Sequence, residues 1–221
     1  MRREAARLGA LWHERFGATA PALILEGAAA TETQVRSAAV DADVLHFATH
    51  GLDLAGDCAM PDSRIATTRG FAIAVDAPLD EKASAPATAA LVLAPGPGDD
   101  DDGLLTAQEI AALDLSRTRW AVLAACATAA GTARHYEGLF GLARAFRLAG
   151  ARTVISSLWP VEDAATAEWS EALYGARLGA GLDTAQALAA AQRGVLSARR
   201  ERGESTHPYY WAAFVASGDW R

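Results

Sequence analysis

Cysteine is scarce: the 221 residues hold two, Cys58 and Cys126. Two thiols make no disulfide framework. So few fit a reducing compartment, and a cytoplasmic location is expected. Long basic runs are absent too, and the net charge is -7. That removes the electrostatic footprint of a direct nucleic-acid binder. No apolar run reaches the about 18 residues that would suggest a membrane span, so no membrane partner is expected. The start, Met1-Arg2-Arg3-Glu4, leads into a mixed helical pattern without an apolar core of roughly 7–15 residues, so no secretory signal is expected. No Gly-x-x-x-x-Gly-Lys loop supports phosphate chemistry. The longest charge run, Asp99–Asp102, lacks the alternating spacing of a calcium loop and reads as a solvated loop. No metal or cofactor is expected. No repeat and no linker divides the chain, so a single domain over residues 1–221 is expected.

What is present is an ordinary globular composition, 51% hydrophobic and 21% charged, enough to build a sizeable core. Residues 3–16 read as an amphipathic helix, with Ala5, Leu8, Leu11, Trp12 and Phe16 at helical spacing. Ala22–Leu25 reads as a short strand. Thr31 caps a helix to Ala39. Val44–Thr49 is β-rich and stops at His50-Gly51. Residues 52–88 form a long excursion of little periodicity, with Phe71–Val75 a candidate strand. Ala90–Leu93 is a strand. Thr106 opens a helix through Ala112, with Glu109 completing a capping box. Trp120–Ala125 is a strand running into Cys126. Gly138–Leu148 is a helix closed by Gly150. Thr153–Ser157 is a strand, Asp163–Leu178 and Thr184–Arg199 are helices, and Trp211–Val215 is a last strand. Apolar strands separated by helices predict a mainly parallel sheet covered on both faces.

In such a sheet, ligands bind outside the carboxyl ends of the strands. His50 and Cys126 each follow a predicted strand there. If those strands are neighbours, the two groups converge. A thiol near its reference pKa of about 8.5 is only a few per cent thiolate at neutral pH. An adjacent imidazole raises that fraction, or takes the proton during attack and later returns it to a leaving amine. Gly51 lets the backbone approach a substrate. Its N–H and that of Cys126 are candidate oxyanion donors, one such donor being worth about 3 kcal/mol of barrier. Each signal alone has an ordinary alternative: a cysteine after an apolar strand also fits a core. His46, four residues before His50, shares its strand face at about 13 Å. That is too far for joint metal binding and points to a structural role.

The ordered motifs Leu45-His46-Phe47-Ala48-Thr49-His50-Gly51, Asp102-Gly103-Leu104-Leu105-Thr106-Ala107-Gln108-Glu109-Ile110 and Leu123-Ala124-Ala125-Cys126-Ala127-Thr128 resemble those of the CHAT domain family. So do Glu137-Gly138-Leu139-Phe140-Gly141, Ser156-Ser157-Leu158-Trp159-Pro160-Val161 and His207-Pro208-Tyr209-Tyr210-Trp211. These are caspase-like domains commonly attached to helical repeat arrays. The resemblance covers most of the chain. It implies a caspase-like three-layer α/β/α sandwich with a mainly parallel central sheet. It implies a cysteine endopeptidase that cleaves a protein or peptide through a thioester, in a regulated bacterial signalling or defence pathway. His50 carries over as general base and acid, Cys126 as nucleophile and Gly51 as an oxyanion donor. A helical-repeat regulatory domain or subunit is the implied partner. The stretch around Asp57–Pro86 is longer than the family's usual connection, and this chain carries no repeat array.

The family's substrate pocket lies in loops after the strands. Here that indicates Glu137, Ser156, Ser157, Trp159, Glu162 and Asp163. Trp159 is either a wall for an extended peptide or a core or rim residue. Asp163 is either a pocket acid or the cap of the next helix. Glu137 faces either a basic substrate group or the helix dipole. The Ser157–Asp163 segment has no Arg or Lys, which argues against cleavage after aspartate and for a basic or small residue. Two rivals remain. One is a catalytically silent interaction module on the same fold. The other is a different hydrolase or an acyltransferase with a cysteine nucleophile, but Ala124 and Thr128 occupy the glycine positions of a nucleophile elbow.

Overall fold

The structure is a computed structural model that describes residues 2–53, 89–98, 101–124, 126–127 and 135–219. Cys58 and the candidate strand at Phe71–Val75 lie outside those residues.

The strands are β1 (Val44–Phe47), β2 (His50–Asp53), β3 (Ala89–Val92), β4 (Leu104–Thr106), β5 (Trp120–Leu123), β6 (Cys126–Ala127), β7 (Thr153–Ser157) and β8 (Phe214–Gly218). The helices are α1 (Arg2–Phe16), α2 (Glu32–Ala39), α3 (Ala107–Ala111), α4 (His135–Leu148), α5 (Asp163–Tyr174) and α6 (Thr184–Glu201). One sheet has the order β1-β5-β7-β8, with β1, β5 and β7 parallel and β8 antiparallel to β7. The other has the order β4-β3-β2-β6. There β3 runs antiparallel to both β2 and β4, while β2 and β6 are parallel.

Alternation along the strands sorts the core into two layers. Ala121 and Leu123 of β5 and Val154 of β7 join Val35, Ala39, Ile110, Leu142 and Phe146 from α2, α3 and α4. Trp120 and Val122 of β5 and Ile155 of β7 join Leu8, Trp169, Leu173, Ala187 and Val195 from α1, α5 and α6. Strands apolar on both faces therefore sit between two helical layers, the caspase-like α/β/α arrangement. In the second layer Trp169 stacks on Phe214 with ring centroids 3.6 Å apart, and both are buried.

Local signals set several boundaries. Thr106 and Glu109 exchange the reciprocal bonds of a capping box at the start of α3, satisfying two amides a helix start leaves open. Asp183 and Gln186 do the same for α6. The Thr31 hydroxyl caps α2 by accepting from the Gln34 N–H. Gly150 follows α4 with φ at 110°, a conformation that side chains resist.

Five expectations need correction. Ala22–Leu25 is not a strand. The chain there crosses between the helical layers: Ile24 packs on α1 at Gly9, Leu25 packs against the α2 layer, and Leu23 is 70% exposed. Four apolar residues without a ladder partner do not make a strand. The acidic run is not wholly solvated either, because Asp101 is buried and accepts from the Glu32 N–H (2.9 Å) and the Thr33 N–H (3.4 Å). It thus satisfies the first amides of α2. The last strand begins at Phe214, not Trp211, because Pro208–Tyr210 forms a tight turn capped by His207. His46 and His50 do not share a strand, since the chain breaks at Ala48-Thr49. The strand from Trp120 ends at Leu123, so it too is interrupted before Cys126.

Candidate active site

The two interruptions are matched. Val44 pairs with Trp120 and Phe47 with Leu123; beyond the gap, His50 pairs with Cys126 and Gly51 with Ala127. Each partner lies 76 positions on (120 − 44 and 126 − 50 alike), so one register spans both sheets. The pair β1/β5 continues as β2/β6, and β2 gains the β3–β4 hairpin as a second neighbour. His50 and Cys126 are therefore partnered backbone positions on strands about 4.8 Å apart, just past the carboxyl ends of β1 and β5.

Around them the edge is built in order. β5, leading to Cys126, lies between β1, leading to His50, and β7, leading to Ser157. His50 is exposed, whereas Gly51 is buried between Leu91 of β3 and Ala127 of β6. The Thr49 hydroxyl donates to the Val92 carbonyl. This ties the residue before His50 to the end of β3.

Beyond Cys126, Ser156 and Ser157 end β7 and are buried. Ser156 pairs with Leu123 and with Val215, and Ser157 with Phe214. Among the described residues, the Ser157 hydroxyl has no hydrogen-bond partner. Trp159 is half-buried against the α5/α6 layer, and its indole N–H donates to the Tyr209 carbonyl at 2.9 Å. It is thus a rim residue that clasps the turn before β8, in keeping with the core-or-rim reading. Glu162 and Asp163 are exposed. The cap position of α5 is Glu162, without a side-chain cap bond, and Asp163 is the first helical residue. The expected Asp163 cap is absent because the helix starts one residue earlier than that reading required; its carboxylate instead stands in the first turn, where the dipole favours it. Glu137 lies in the first turn of α4, and its side chain is outside the described residues.

Behind this edge, His46 belongs to a buried polar network. Its Nε2 is 3.2 Å from Glu4 Oε1, and its Nδ1 is 3.3 Å from the Tyr174 hydroxyl. Ser170 donates to the same Glu4 oxygen at 2.8 Å. Burial works to raise the Glu4 pKa, but the hydrogen bond and charge of the His46 ring, with the Ser170 hydroxyl, hold it below the usual 4.5. Burial, with the Glu4 charge nearby, pushes the Tyr174 phenol far up, so it stays protonated. The network joins α1, β1 and α5 and stands apart from the sheet edge.

Sequence reasoning did not find the Thr49–Val92 bond, the Asp101 cap or the partners of His46. Asp101 stood in the sequence only as one of the four acids of the run Asp99–Asp102. Among the described residues, no cluster of His, Cys, Asp or Glu can hold a metal ion, and no helix is long and apolar enough to cross a membrane.

The fold and its edge define a class: an α/β/α domain whose histidine and cysteine share one register at the carboxyl end of a mainly parallel sheet. The CHAT domain family matches residues 2–219, and the chain belongs to that family. The chain is also similar to Tetratricopeptide repeat protein 28 of Homo sapiens, 31% identical over 198 residues, which is 88% of this chain and 8% of that protein. The Mus musculus protein of the same name matches with the same identity and coverage. The chain thus spans about 8% of the length of these relatives.

Proposed function

We propose that the chain is a caspase-like cysteine endopeptidase in which His50 and Cys126 cleave a protein or peptide substrate. The observation that carries this reading is the register partnership of His50 and Cys126. Groups borne at partnered positions of neighbouring strands are within reach of one another, and the strand ends open where ligands bind such sheets.

In this reading the His50 imidazole takes the thiol proton and the Cys126 sulfur attacks the scissile carbonyl. The N–H groups of Gly51 and Cys126 receive the developing oxyanion. The C–N bond breaks as His50 returns the proton to the amine, leaving a thioester on Cys126. Water, deprotonated by His50, then attacks the thioester. The acid product leaves and the thiol is restored.

The substrate residue before the cut is basic or small. The Ser157–Asp163 segment has two acids, one hydroxyl and no cation, which supports that preference. Ser157, Trp159, Asp163 and Glu137 are the pocket candidates. Digestion of a proteome-derived peptide library tests the reading. Wild type yields defined cuts, and Cys126→Ala abolishes them at an unchanged unfolding midpoint. Full cleavage by Cys126→Ala rejects the dyad, and strict cleavage after Asp rejects the pocket.

A second reading is supported by the name of the relatives. They are called tetratricopeptide repeat proteins, and this chain matches a small part of them. A helical-repeat segment is therefore the proposed regulatory partner. In a catalytically silent variant of that arrangement the domain is a docking module. A peptide-like thiol probe that labels Cys58 and leaves Cys126 untouched favours that variant.

A further inference from the structure

We propose that Thr49 is a positioning residue for His50, acting through its hydroxyl bond to the Val92 carbonyl. The inference rests on the dyad reading above and adds to it the device that sets the histidine.

The chain problem is specific. Among the described residues, β1 has one strand neighbour, β5, whereas β2 has two, β3 and β6. Between them the ladder lapses at Ala48-Thr49, yet the register with the β5/β6 line resumes unchanged at His50. Something must hold the backbone in step across the lapse. His50 is exposed, so close packing of its own ring does not fix its place. The backbone on either side of it must do so.

After His50, Gly51 is held by Leu91 and Ala127. Before it, the attachment is the Thr49 hydroxyl on Val92. The antiparallel register of β2 and β3, carried on by one residue, sets Val92 opposite His50. The bond therefore grips β3 at the level of the histidine.

Val92 is a firm anchor. It pairs with Leu104 of β4, and the next residues are held on both sides. The Leu93 N–H donates to the Gly103 carbonyl at 2.7 Å, and the Ala94 N–H to the Ala30 carbonyl at 2.9 Å. Gly103 in turn donates to the buried Glu32 carboxylate at 2.8 Å. Thr49 thus couples the residue before His50 to a frame made of β3, β4 and the start of α2. A β-branched residue with a hydroxyl suits the site: it favours extended backbone and supplies the donor a ladder amide would otherwise supply. Valine fits the same volume and lacks the donor.

Three variants test this in the intact chain: Thr49→Val, Thr49→Ser and Thr49→Ala. Misplacement of a reacting group by about 1 Å costs on the order of 100-fold in rate. Thr49→Val is therefore expected to lose roughly 10- to 100-fold in kcat with KM within about 3-fold. Thr49→Ser restores kcat to within about 3-fold of wild type, because it keeps the hydroxyl. Thr49→Ala loses as much as Thr49→Val, and serves alone if the valine variant does not fold. A second readout needs no turnover: the His50 imidazole resonance, followed by NMR through its titration, shifts in Thr49→Val and returns in Thr49→Ser. Wild-type kcat and an unmoved His50 resonance in Thr49→Val overturn the proposal. So does a serine variant as impaired as the valine one, which would make the role packing. An inactive wild type counts against the peptidase reading alone, and the His50 resonance then decides the role of Thr49.

Discussion

Replacing Glu4 with leucine is expected to destabilise the fold without touching the candidate active site. Glu4 is 3% exposed, and one of its oxygens serves both Ser170 at 2.8 Å and His46 at 3.2 Å. Glu4→Leu is close in volume, so the change is one of polarity. It leaves a fully buried hydroxyl and a largely buried imidazole nitrogen without their acceptor. Each such orphan costs about 1–3 kcal/mol. Relief of the desolvated carboxylate offsets part of that, so a net loss of about 2–3 kcal/mol is expected. For a chain of this size that is a drop of about 5–10 °C in unfolding midpoint. Glu4→Gln keeps an acceptor and is expected to lose about 1 kcal/mol. The pH dependence has a definite sign. The folded-state pKa of Glu4 lies below 4.5, so its contribution is fully present above that value and fades as pH falls through the folded value. The gap between wild type and Glu4→Leu must narrow on acidification from neutral pH toward pH about 3. Urea unfolding followed by circular dichroism at several pH values measures it. Equal midpoints at neutral pH, or a gap that widens in acid, refute the reasoning.

Four other substitutions probe the frame. Thr106→Ala removes half of the capping box on α3 and is expected to cost about 1 kcal/mol in urea unfolding. Trp169→Ala empties a buried site stacked on Phe214 and is expected to cost about 3–5 kcal/mol, visible as a fall in thermal midpoint and loss of near-ultraviolet signal. Gly150→Ala places a methyl 2.9 Å from the Ser116 nitrogen at a φ of 110°. It is expected to lose about 1–3 kcal/mol, whereas Gly194→Ala, inside α6 with open space around it, is expected to gain up to about 1 kcal/mol.

Elements with short-range signals were legible in the sequence. The Thr106 and Glu109 pair marks α3, and the apolar run Thr153–Ser157 between Gly150 and Pro160 marks β7, because those cues sit within a few residues of the element. The corrections have the opposite character. The break at Ala48-Thr49 carries no glycine or proline; it arises because the chain there acquires a hairpin from residues 89–106 as a second neighbour. Asp101 looked like any solvated acid, since the amides it serves belong to Glu32 and Thr33 far upstream. Ala22–Leu25 had strand-like composition without a partner. At the site, local pattern set His50 and Cys126 each after a strand, whereas in the structure each opens a further one, β2 and β6; their register depends on which strands lie side by side, which local pattern does not encode.

The rate at which iodoacetamide alkylates Cys126, read by peptide mass spectrometry across pH 5–9 in wild type and His50→Ala, tests most directly whether the two positions act together. Coupled groups predict a Cys126 that reacts faster than Cys58 near neutral pH, and a fall of about 10-fold or more in that rate when the imidazole is removed. A Cys126 whose rate is the same with and without His50, or that stays inert while Cys58 reacts, contradicts the account.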